Sequence, residues 1–154
     1  MSGRTLWRVV SILPLVLLTA CEQGTWLHAY RHIAQQEWTR SDTLTFITDT
    51  VAQEGQYTFE VELRASDSYP YRSLWLIVES RLLQPAFQRN DTVECVLMDP
   101  ITNRMGKGVF IYQYTVSLPP LPLQKGQYGH INIRHFMSRE CLPGIRDVGV
   151  RIRY

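Results

Sequence analysis

Apolar and polar residues follow two different rhythms along this chain. From Val9 to Leu18 the residues are almost all apolar, with Pro14 inside the run, and the run ends at Leu18-Thr19-Ala20-Cys21. From Leu44 onward the pattern has a period of two, which puts alternate side chains on opposite faces of a strand. Leu44 and Phe46 begin the first such stretch. After a turn at Glu54-Gly55-Gln56, Tyr57, Phe59, Val61 and Leu63 interleave with Thr58, Glu60, Glu62 and Arg64, which predicts one face in the core and one in water. Ser66 to Tyr71 is turn chemistry, and Leu74 to Val78 is apolar on both faces, as in a central strand. A loop with Pro85 and Asn90-Asp91 is expected next, then a strand from Thr92 to Met98 with Val93, Cys95 and Leu97 on one side. Asp99-Pro100 and Asn103 to Gly108 make a turn. Phe110, Tyr112, Tyr114, Val116 and Leu118 share a face of the strand that follows, which Pro119, Pro120 and Pro122 are expected to stop. Tyr128 to Phe136 brings Ile131 and Ile133 inward, Leu142-Pro143-Gly144 turns, and Val148, Val150 and Ile152 alternate with Gly149, Arg151 and Arg153. About seven short strands separated by turns predict an all-β chain with a single antiparallel β-sandwich domain.

The early apolar run has a different meaning. Arg4 and Arg8 precede it and a small residue, Ala20, stands just before Cys21, the layout of a secretory leader that ends in a lipobox. Cleavage between Ala20 and Cys21 is expected, with Cys21 carrying the lipid and joining the chain to a bilayer. A transmembrane anchor fits less well, because the run is short and Glu22-Gln23-Gly24 follows at once. The expected division is a signal peptide over 1–20, a lipidated cysteine and tether over 21–37, and the sandwich over 38–154. Trp26, Tyr30 and Trp38 are expected to pack rather than to dip into lipid.

Removing the leader changes the charge. The chain has sixteen Lys and Arg against fourteen Asp and Glu, and Arg4 and Arg8 are lost with the leader, so the mature protein is close to neutral. Nothing in that balance calls for a nucleic-acid partner. With Cys21 assigned to lipid, Cys95 and Cys141 remain, and the sequence leaves open whether they form a disulfide in an oxidising compartment.

Candidate chemistry is sparse. His28 and His32 fall in or beside the tether, and His130 and His135 have opposite parity on one strand, so no metal set is expected; no cofactor is implied either. Glu60 and Glu62 sit on the polar face of their strand, where a solvated pair is the better reading than a glycosidase pair. No G-x-S-x-G elbow is present. Tyr112 and Tyr114 offer a sugar-stacking platform as the alternative to core packing, and with it the alternative function of a glycan-binding surface module. A small-molecule ligand is not expected.

Several segments taken together resemble one family. The cysteine of the lipobox, Trp38-Thr39-Arg40-Ser41-Asp42-Thr43-Leu44-Thr45-Phe46, Tyr69-Pro70-Tyr71-Arg72-Ser73-Leu74-Trp75-Leu76, Asp91-Thr92-Val93-Glu94-Cys95, Gly106-Lys107-Gly108, and Leu142-Pro143-Gly144-Ile145-Arg146-Asp147-Val148-Gly149-Val150-Arg151-Ile152 are similar to the gliding motility lipoprotein family GldH. The stretch after Gly108 is smoother than that pattern, which expects a glycine among its aromatic residues. The resemblance implies a lipid-anchored envelope protein, without enzymatic activity, that works with the gliding and type IX secretion machinery. The outer membrane and its periplasmic leaflet are the expected location. Loops are the expected contact surfaces for envelope protein partners: Tyr69, Pro70 and Tyr71, then Leu142, Pro143, Gly144 and Asp147. Each of these residues has a plainer reading as a shaper of turns or a cap on the core.

Overall fold

The structure is a computed structural model that describes residues 24–154 except 100, 102 and 105, with only the backbone of 103 and 104. The leader, Ala20 and Cys21 lie outside the described residues. Among the described residues twelve strands follow in order: β1 Thr25–His32, β2 Glu37–Thr39, β3 Leu44–Ile47, β4 Gly55–Ser66, β5 Ser73–Leu83, β6 Phe87–Val96, β7 Met98–Asp99, β8 Asn103–Arg104, β9 Ile111–Leu123, β10 Tyr128–His135, β11 Cys141–Pro143 and β12 Ile145–Arg153. Two four-stranded sheets carry the fold, one ordered β1-β12-β4-β9 and the other β3-β10-β5-β6, and every pairing is antiparallel. Two small ribbons, β11-β2 and β7-β8, lie beside them.

The alternation read from the sequence decides which face is inside. Phe59, Val61, Leu63, Val148, Val150 and Ile152 from the first sheet join Phe46, Leu74, Leu76, Val78, Ile131 and Ile133 from the second in one buried core. Burying one such side chain stabilises the fold by about 2 kcal/mol, and the core has many. β5 lies between β10 and β6, the central position expected from Leu74 to Val78.

Three stretches differ from their sequence reading. The segment expected as tether forms β1 from Thr25 onward, an edge strand paired with β12 from Thr25↔Arg153 to His32↔Asp147. Its apolar residues are too few to announce a strand, because its outer face is polar and its inner face is only half-buried. Asn90 and Asp91 lie inside β6, opposite Glu79 and Val78, rather than in a loop.

Pro119, Pro120 and Pro122 do not end their strand, because β9 continues to Leu123. β9 is an edge strand, where a missing N–H leaves no gap in the ladder, and the register slips between Tyr57↔Leu121 and Phe59↔Leu118 to form a bulge at the prolines. Arg89 of β6 closes the sandwich there. It donates to the carbonyls of Pro120 at 2.8 Å and Pro119 at 3.0 Å, and its Nε donates to Asp91 at 2.7 Å.

Candidate functional site

The strand directions give the molecule two ends. The first described residue is Gly24, whose carbonyl accepts from the N–H of Tyr154 at 3.0 Å, so the first and last described residues lie at one end, the entry end. β4 leaves that end at Gly55 and reaches the other at Ser66. The loop around Tyr69 and the β2-β11 ribbon therefore stand at the end away from the entry of the chain, and both expected contact loops belong to it.

Three of the seven expected contact residues, Tyr69, Leu142 and Gly144, are buried. Tyr69 is 1 % exposed, and its hydroxyl donates to the Ser73 carbonyl at 2.9 Å; burial holds its phenol well above the usual range. Leu142 is buried opposite Trp38. Gly144 has φ +85°, and a Cβ there would lie 2.4 Å from the Tyr69 nitrogen, so a residue without a side chain is needed. Tyr71 is half-buried and stacks edge-on to Tyr69 at 5.5 Å. Pro70 and Pro143 are the exposed members. Asp147 is on β12, bonded to His32 Nδ1 at 3.0 Å and near Arg64 at 3.9 Å.

Cys95 and Cys141 are both free thiols. Cys95 is buried on β6, where burial pushes its thiol up to about 12, and Cys141 is exposed on β11. Tyr114 is buried with the core, so the Tyr112–Tyr114 face is not an open platform; Phe110 alone of that row is widely exposed.

The main charged cluster is one that the alternation reads as solvated. Glu62, on the outer face of β4, is 1 % exposed. Its cover comes from β1, two strands away. The position between them on β12 is Gly149, paired with both Tyr30 and Glu62, and Tyr30 lies across it; a Cβ on Gly149 would come within 2.7 Å of the ring. The Tyr30 hydroxyl donates to Glu62 Oε2, and His28 Nε2 is 3.1 Å from the same oxygen. Arg151 Nη2 lies 2.7 Å from Glu62 Oε1, and the Arg64 guanidinium sits 4.2 Å above the Tyr30 ring. Alongside, Glu60 takes Arg151 and Arg153, each at 3.0 Å.

Burial by itself would raise the Glu62 pKa, but the bonds from Tyr30 and His28 and the charge of Arg151 together bring it below the ordinary carboxylate value. Tyr30 moves the other way, up to about 12, through burial and then the Glu62 bond. A carboxylate held in this way is an anchor point for β1. The sequence signal for it is Gly149: a glycine inside an alternating strand marks a close approach by another side chain. Among the described residues, no group of three or more His, Cys, Asp and Glu is placed to hold a metal ion.

Fold and cluster together define a class: a two-sheet antiparallel β-sandwich whose principal buried charge fastens its N-terminal strand. The model of the GldH lipoprotein family matches residues 25–152, and the chain belongs to that family. It is 26 % identical over 157 residues to the gliding motility lipoprotein GldH of Flavobacterium johnsoniae, with 93 % of each chain covered. Among solved structures, Eiger TNF from S. frugiperda aligns with 85 % of this chain and 94 % of its own, at 10 % identity and a TM-score of 0.38.

Proposed function

We propose that this protein is a lipid-anchored, non-catalytic envelope component that serves as a scaffold or accessory part of the gliding motility and type IX secretion machinery. Membership of the GldH lipoprotein family over nearly the whole described chain carries this reading. The arrangement of the ends supports it. Only two residues, Glu22 and Gln23, lie between Cys21 and Gly24, a reach of at most about 10 Å, so lipid on Cys21 holds the entry end near the membrane and turns the Tyr69 and Leu142 loops away from it. Acyl chains on Cys21 contribute about 0.8 kcal/mol per buried CH₂, and more than one chain makes the attachment stable. Outer-membrane attachment on the periplasmic side is part of the proposal.

The test is a crosslinking pull-down from native membranes of a gliding relative, comparing the intact chain with Cys21→Ala. Gliding or type IX components recovered with the lipidated form alone support the anchored scaffold. Equal recovery with both forms, or no envelope protein enriched with either, overturns it.

A further inference from the structure

The outer face of the second sheet has features that neither the core nor the Glu62 cluster uses. Its side chains form level rows across four strands. The central row is Thr45, Asn132, Glu79 and Asn90, aligned by the pairs Thr45↔Asn132, Asn132↔Glu79 and Glu79↔Asn90. The Thr45 hydroxyl donates to Asn132 Oδ1 at 2.9 Å, Asn132 Nδ2 donates to Glu79 at 3.4 Å, and Gln88 donates to Glu79 at 3.3 Å. A depression of about 210 Å³ lies on one side of this row, lined by Thr43, Ile77, Glu79, Asn90, Asn132 and Arg134. Another of about 400 Å³ lies on the other side, with Ile47, Leu83, Tyr128 and His130 in its wall, and Asn132 belongs to both. Both lie beside β10 and meet at Asn132, and the face they make together is termed the groove.

From this groove we infer a binding site for an acidic polysaccharide, a chain of pyranoses carrying carboxylates; the inference is independent of the motility reading. Charge selects the acid. Glu79 is neutralised by Arg81 at 2.7 Å, whereas Arg134 is exposed and has no acidic partner among the described residues, which leaves a positive charge in the groove. Hydrogen-bonding capacity selects the hydroxyls. A carboxamide has two donors and two acceptor pairs, so Asn132 keeps one of each after its bonds to Thr45 and Glu79, and Asn90 faces solvent beside it. The apolar wall suits the C–H faces of sugar rings: Ile47 is 75 % exposed, Leu83 53 % and Tyr128 38 %. A peptide strand fits poorly, because backbone donors and acceptors within a sheet are already paired and a strand is added at an edge, not on a face.

The experiment uses the full chain purified from membranes and held in phosphatidylcholine nanodiscs, titrated calorimetrically with hexagalacturonate, with neutral maltohexaose, and with polyglutamate as a charged chain without sugar. Binding of hexagalacturonate, at least tenfold weaker in Arg134→Gln and Asn132→Ala and unchanged in Lys125→Gln outside the groove, supports the site, provided both weakened variants melt like the parent. Tyr128→Ala is a second, wall-side variant expected to weaken binding severalfold. The proposal is overturned if hexagalacturonate fails to bind, if polyglutamate or maltohexaose binds equally well, or if the groove variants bind as the parent does.

Discussion

Glu62 shows how one position on a polar strand face becomes structural. Removing its charge leaves Tyr30, His28 and Arg151 facing a group that no longer balances them, so Glu62→Gln is expected to cost about 3 kcal/mol in urea unfolding. The pH dependence has a definite sign. The folded pKa of Glu62 is depressed, so its contribution is fully present above the unfolded carboxylate value and is lost as pH falls through the folded value. The stability gap between the parent and Glu62→Gln should therefore narrow on acidification from neutral pH, as followed by urea midpoints. Gly149→Ala tests the same cluster from below. The new methyl group meets the Tyr30 ring and pushes it off Glu62, with an expected loss of about 2 kcal/mol. The cysteines give a third expectation: iodoacetamide on the native protein should label Cys141 quickly and Cys95 only after denaturation, whereas a bridged pair would resist labelling until reduced.

At the scale of elements, what the sequence shows and what it hides follows from packing. β4, β5, β10 and β12 are legible because alternate residues are buried, and Val61, Ile133 and Val150 point inward as read. β1 is hidden because its stabilising contacts are polar side chains on an outer face, which hydrophobic periodicity does not weigh. The continuation of β9 through three prolines is hidden because edge position is a property of the sheet, not of the strand. Arg89 is the residue that makes this bulge tolerable, through carbonyls that the ladder leaves unpaired. Arg89→Met keeps much of the aliphatic length but loses those bonds and the Asp91 pair, so a loss of about 2 kcal/mol in thermal or urea unfolding is expected. Of the contact residues proposed from sequence, Tyr69, Leu142 and Gly144 share their motif with turn-shaping residues, and no pattern in a single sequence separates the two roles; burial does.

For the whole molecule, the direction in which β1 runs has a mechanical consequence. Its first residues lie at the end shared by Gly24 and Tyr154 and its last residues toward the far loops, antiparallel to β12. Under the proposed lipid anchor, tension between Cys21 and a partner holding those loops would act along the strand axis, so the rungs from Thr25 to His32 would be loaded in shear and would have to yield together, with the His28 and Tyr30 bonds to Glu62 across the same seam. Tension between Gly24 and Tyr154, which sit side by side, would instead unzip the seam one rung at a time. In a single-molecule pulling experiment, rupture between the N-terminus and exposed Cys141 should therefore need a clearly higher force than rupture between the N- and C-termini. A domain held by its first strand in this way resists load most strongly along the line from Gly24 to its far loops.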